Sequence, residues 1–230
     1  MRWFMTLVVA LAAGFAGAAL WDATGLGGET TRDYLLANPE ILPEAMEVLQ
    51  RREQLARIEP LRGELETPFP GAVLGNPAGS VTLVEFTDYA CSYCRQSKAD
   101  VAALVAANPD LKVVIREYPI LRPESLDAAR MALAAAQQGR YARFHDAMFR
   151  LGQPTAETIE AAAKEAGVDL ARARAAIASG AFDGHLQANA QLALQLGISG
   201  TPGWVVGDQS LNGAVGHRRL DEAIEEARRS

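Results

Sequence analysis

Apolar positions fall into three patterns along the chain. Trp3 to Leu20 is apolar on every side and is flanked by Arg2 and Asp22, which predicts a helix of roughly 27 Å, close to the thickness of a bilayer core. Leu42, Met46, Leu49 and Ala56 recur at spacings of four, three and seven, with Glu53 on the same line. This is a short heptad seam, with Arg51, Arg52, Glu53 and Arg57 keeping the rest of the helix wet. Val81-Thr82-Leu83-Val84 and Leu111–Tyr118 (LKVVIREY) are β-branched apolar runs bounded by turn residues, and they predict buried strands. The helix formers through Ala107 between them complete a strand, helix, strand unit.

From Pro123 to Gly197 the sequence is alanine-rich and helical, punctuated by Gly139, Gly152, Gly167, Gly180 and Gly197 as C-caps would be, with Met131, Leu133, Phe144, Met148 and Phe149 as its core. Gly200-Thr201-Pro202-Gly203-Trp204-Val205-Val206 resumes the sheet signal, Gly207-Asp208 predicts a hairpin turn, Leu211–Val215 the returning strand, and Leu220–Arg228 a closing amphipathic helix. The expected fold is α/β: β-α-β, an all-helical insertion, then β-β-α. The expected divisions are 1–21, a signal peptide or anchor; 22–63, a helical extension; 64–122, the first part of the sheet domain; 123–197, the insertion; and 198–230, its second part. Within the extension, Thr24 to Glu29 reads as a glycine-rich spacer and Thr31–Ala37 as a short helix. Asn38-Pro39 reads as an N-cap with proline at the first helical position, and Pro43 is expected to start the regular part of a helix running to Ile58. Pro60 to Gly79, with four prolines and four glycines, reads as a linker holding a short edge strand near Ala72-Val73-Leu74.

Composition narrows the function. The 230 residues are 49% hydrophobic and 22% charged, enough to build a core, and the 28 acidic residues against 22 basic ones give no nucleic-acid surface. Arg2, with no further basic residue before Arg32, places the N-terminus inside and the remainder across a membrane. Cleavage at Ala16-Gly17-Ala18 and retention of an anchor with Trp3 and Trp21 at the interfaces are both open. The whole cysteine inventory is one pair, Cys91-Ser92-Tyr93-Cys94, between the first buried strand and the helix after it.

That placement carries chemistry. Unpaired N–H groups and the macrodipole at a helix mouth favour an anion, so the Cys91 thiolate is expected to be stabilised. Cys94, one turn deeper, is placed to resolve a mixed disulfide formed at Cys91. A structural staple closing so short a loop contributes only about 2 kcal/mol. A zinc site needs two further ligands, and His145, His185 and His217 offer no paired spacing. No metal site is expected, and no cofactor beyond the Cys91–Cys94 disulfide itself; His145 and His185 read as ordinary helix residues.

The element order, with FTDYACSYC early and GTP late, resembles the DsbA-like branch of the thioredoxin superfamily, periplasmic thiol-disulfide oxidoreductases, over about Leu74 to Arg228, and implies a periplasmic location. The resemblance implies a thioredoxin fold with an inserted helical subdomain and a cis Pro202 beside the dithiol. It implies Thr201 and Pro202, with Tyr93, as substrate contacts, and Glu85, six residues before Cys91, as a buried acid that moves protons to Cys94. YLLANPEILPEAMEVLQ is similar to the N-terminal region of ScsC-like proteins (suppressor of copper sensitivity protein C), some of which trimerise through it and act as isomerases. Thr201 also resembles the isomerase side of the superfamily. Ser92 departs from the proline usual there, so oxidase and isomerase stay open. The implied partners are unfolded or misoxidised exported proteins, a membrane redox partner that recycles the dithiol, and further copies of the chain. Copper(I) held by the two thiolates and a chaperone role are the rival classes.

Overall fold

The computed structural model describes residues 2–23 and 28–229, in two units that divide after Gln50. In the first, α1 (Arg2–Ala23) contains one stretch, Trp3–Trp21, long and apolar enough to cross a membrane, with mean hydropathy 2.0 and no residue buried. Residues 24–27 of the expected spacer lie outside the described residues, and α2 (Gly28–Ala37) follows. Asn38 does not cap the next helix. Its backbone N–H and its Nδ2 both donate to the Tyr34 carbonyl, at 2.9 Å each, so it closes α2 instead. Helix α3 (Ile41–Ile58) starts two residues before Pro43. The first four N–H groups of a helix have no partner inside it, so proline's missing donor leaves this first turn intact. Leu42, Met46 and Leu49 are all exposed along it.

From Arg51 onward the chain builds one five-stranded sheet in the order β1-β3-β2-β4-β5. Strand β1 (Val73–Gly75) pairs antiparallel with β3 (Leu111–Glu117), and β3 pairs parallel with β2 (Val81–Thr87). Strand β4 (Gly203–Val206) is antiparallel to β2 and forms a hairpin with β5 (Gln209–Asn212). The two-residue turn at Gly207-Asp208 starts β5 at Gln209, two residues ahead of the expected strand. Helix α5 (Ser92–Ala107) joins the two parallel strands, and α11 (Gly216–Arg229) closes the chain one turn earlier than its apolar pattern predicts.

Both sheet faces are covered, and by different helices. Val81, Leu83, Val113 and Ile115 point into a core shared with α5, α6 (Pro123–Ala136), α7 (Tyr141–Leu151), α8 (Ala156–Ala166) and α9 (Leu170–Ala178). Val84, Phe86 and Val114 face the other side, against Leu192 and Leu196 of α10 (Asp183–Leu196) and against Ile58 and Leu65. The stretch read as a linker is therefore partly structural. Helix α4 (Arg62–Glu66) lies within it, because the second sheet face needs apolar cover that Ile58 and Leu65 supply. Arg116 on that face donates to the carbonyls of Glu64, Leu65 and Thr67 and to Asn189 Oδ1, satisfying the backbone where α4 ends.

Candidate functional site: a dithiol at a helix mouth

Cys91 is the N-cap of α5, with extended backbone, and its Sγ accepts the Cys94 N–H at 3.4 Å. A thiol there also donates to the Thr201 carbonyl at 3.2 Å, across 110 residues of sequence. The Thr201–Pro202 peptide is cis. Three local features bring this loop to the dithiol. Gly197, at φ +72°, ends α10 in the left-handed region that suits glycine. β4 then pairs with β2 immediately after Pro202. Gly203 has no room for a side chain, since a Cβ would come within 2.4 Å of Ile198 Cγ2. Both thiols are free and both are buried, Cys91 at 5% exposure and Cys94 at 0%, so only Cys91 presents any surface. Tyr93, at 61%, projects from the first turn of α5.

Beneath the pair sits Glu85. The parallel register aligns it with Ile115 and aligns Thr87 with Glu117, all on the face that carries the larger core. Burial pushes the Glu85 carboxyl up to about 8, only partly offset by Thr87. Burial also drives the Cys94 thiol well above its ordinary value, with the Glu85 charge adding to the effect. A thiolate forming at Cys94 and an ionised Glu85 thus oppose one another. A protonated Glu85 is the state that suits Cys94 as a leaving group.

A second set of polar groups lies on the same face and is absent from the sequence reading. Glu117 is fully buried and its carboxyl is also pushed up to about 8 by burial; Tyr141 and Tyr89 donate to its Oε1 at 2.7 and 3.1 Å. The Tyr89 hydroxyl also meets His145 Nδ1 at 3.2 Å. His145 is therefore more than an ordinary helix residue: burial lowers it to about 4, and it lines a cavity of about 150 Å³ together with Glu85. Alternation along LKVVIRE puts Glu117 on the apolar side of β3 and was the available signal; nothing in the sequence pairs it with Tyr89 or His145. Asp88 is a further unanticipated contributor. Its Oδ1 accepts the Ala90 N–H at 2.8 Å and its Oδ2 those of Ile120 and Leu121 at 2.9 Å each, tying the loop before Cys91 to the loop after β3.

A thioredoxin-type sheet with CxxC at the mouth of its first crossover helix, facing a cis-proline loop, defines a protein of the thiol-disulfide oxidoreductase class. The chain belongs to the DSBA-like thioredoxin domain family, whose model matches residues 82–225. Residues 29–56 match the model of the copper resistance protein ScsC N-terminal domain. Among solved structures, a thioredoxin-like oxidoreductase from Silicibacter pomeroyi DSS-3 is 42% identical, covering 69% of this chain and 92% of its own, with a TM-score of 0.66. Proteus mirabilis ScsC in a transitional conformation is 27% identical, covering 86% of this chain and 91% of its own, with a TM-score of 0.65. The Na(+)/H(+) antiporter NhaA 3 of Salinispora tropica is 28% identical over 155 residues, 66% of this chain and 24% of the antiporter. The chain thus spans a quarter or less of the length of the curated relatives it matches.

Proposed function

We propose that this protein acts outside the inner membrane as a disulfide isomerase or reductase on unfolded and misoxidised proteins, with Cys91 as nucleophile and Cys94 as resolving thiol. The observation that carries the reading is the 3.2 Å contact between Cys91 Sγ and the Thr201 carbonyl. It puts the sulfur beside a backbone edge that an extended client segment can pair with. Attack of the Cys91 thiolate on a client disulfide forms a mixed disulfide and releases one client thiolate. The complex then resolves through another client thiolate, which rearranges the client, or through Cys94, which reduces it and leaves Cys91–Cys94 oxidised. A membrane redox partner returns the pair to the dithiol. The ScsC-like match supports the isomerase subtype over a dithiol oxidase. Refolding of a scrambled multi-disulfide substrate tests it: the reduced protein is expected to speed recovery beyond a small dithiol control. Rapid oxidation of reduced substrate with no gain on the scrambled one would assign the oxidase instead.

The exposed Leu42, Met46 and Leu49 stripe on α3 supports self-association, as a trimer or another small oligomer. Replacing all three by aspartate is expected to give a monomer in sedimentation analysis that keeps its simple thiol-disulfide exchange but loses the gain on scrambled substrate. An unchanged sedimentation coefficient would remove this role from the stripe. The match to a copper resistance domain supports a second reading, copper(I) held by the two thiolates. Titration of the reduced protein against a competing chelator decides it, and the absence of competition would exclude it.

A further inference from the structure

The polar groups behind the dithiol form a continuous line that the exchange chemistry has not yet used. It starts at Glu117, whose Oε2 is buried with no partner and whose Oε1 receives Tyr141 and Tyr89. It passes through the Tyr89 hydroxyl to His145 Nδ1. His145 also borders the cavity that Glu85 borders, together with Lys98 of α5 and Asp146 of α7, whose Nζ and Oδ1 pair at 2.8 Å. The titratable groups around this line are Glu85 from β2, Asp88 and Tyr89 from the loop after it, Cys94 and Lys98 from α5, Glu117 from β3, and Tyr141, His145 and Asp146 from α7.

We infer that Glu117 is a second proton store for the dithiol, connected through Tyr89 and His145 to the same cavity that serves Glu85. The line has two proton orders. In one, Glu117 is a neutral acid donating to Tyr89, whose hydroxyl donates to His145 Nδ1, leaving the imidazole proton on Nε2. In the other, Tyr89 donates to an ionised Glu117 and His145 donates from Nδ1. Going from the first to the second releases one proton, the one on Nε2, and shifts the others one place along, so Glu117 is deprotonated while His145 is neutral at both ends. An imidazole held uncharged by burial suits that role. The inference rests on the proposed exchange reaction for its use. When the membrane redox partner breaks the Cys91–Cys94 bond, two electrons pass from the partner to the pair, and the proton that Cys94 takes from Glu85 is replaced through the cavity or from Glu117.

Redox-triggered infrared difference spectroscopy on the full chain tests it, since the dithiol is cycled electrochemically with no client present. Two neutral carboxyl signals are expected to respond to the redox state, one lost in Glu85→Gln and the other in Glu117→Gln. In His145→Phe, which keeps ring volume and removes both nitrogens, hydrogen-deuterium exchange of the Glu117 signal is expected to slow by about a hundredfold, the scale of a lost proton relay. Tyr89→Phe breaks the same line without touching the histidine and is expected to give the same slowing should His145→Phe fail to fold. A single responsive carboxyl belonging to Glu85, or Glu117 exchange at wild-type rate in both relay variants, would overturn the proposal. Two responsive carboxyls in a protein inactive toward every client would instead refute the functional reading and leave this one intact.

Discussion

Cys91→Ser is expected to lower thiol-disulfide exchange with a client disulfide by about three orders of magnitude or more, because a serine hydroxyl stays protonated near neutral pH and is a poor nucleophile at sulfur. The small side chain fits the same N-cap and serine caps well, so the fold should hold and the loss should be chemical. Cys94→Ser separates the two sulfur roles. Its first attack is retained, but Cys94 sits buried one turn behind Cys91 and no other thiol exists in the chain to resolve the adduct. A mixed disulfide at Cys91 should therefore accumulate, visible as a covalent client complex on a non-reducing gel and cleared by added dithiol. Full activity in Cys91→Ser would remove the dithiol from the mechanism altogether.

Stability of the reduced protein is expected to fall as pH rises from about 6.5 to about 8. Glu85 and Glu117 are both held near 8 by burial, against an ordinary value of 4.5. Between those limits the folded chain binds more protons than the unfolded chain, so each carboxyl removes stability as pH rises, at about 1.4 kcal/mol per pH unit. His145 works the other way. It is lowered from 6.5 to about 4, so the unfolded chain binds the extra proton, and stability rises with pH over that interval. His185, lowered to about 4 by burial, acts in the same sense as His145, so the histidines oppose the carboxyls below pH 6.5; from 6.5 to about 8 the carboxyls dominate, and the raised Cys94 thiol continues the decline toward pH 9. Urea unfolding followed by circular dichroism from pH 5 to 9 checks this. Glu85→Gln and Glu117→Gln should each remove about half of the decline between pH 6.5 and 8, and the double variant should be flat over that interval. A wild-type slope in both single variants would mean that neither acid is protonated in the folded state.

Much of this architecture is legible in the amino acids because it depends on local pattern. Strands β2 and β3 announce themselves through β-branched runs, the insertion through alanine and glycine spacing, and the dithiol through its place between strand and helix. Other features depend on distance in space. Asn38 closes the helix before it because its side chain finds the Tyr34 carbonyl, a choice that a short polar residue beside proline does not declare. The stretch around Leu65 looks like a linker by composition and becomes cover for a sheet face only once Val84, Phe86 and Val114 are known to point that way. His145 stands alone along the chain because Tyr89, which it meets, and Glu85, which shares its cavity, lie 56 and 60 positions earlier.

The Asp88 carboxylate fastens the strip of backbone ahead of Cys91 to the tip bearing Ile120 and Leu121, whose side chains are 43% and 50% exposed. Rim and nucleophile are thereby tied through a single side chain. Under the proposed exchange reaction, an apolar client segment seated on this greasy lip would lie one carboxylate tie away from the sulfur that attacks its disulfide.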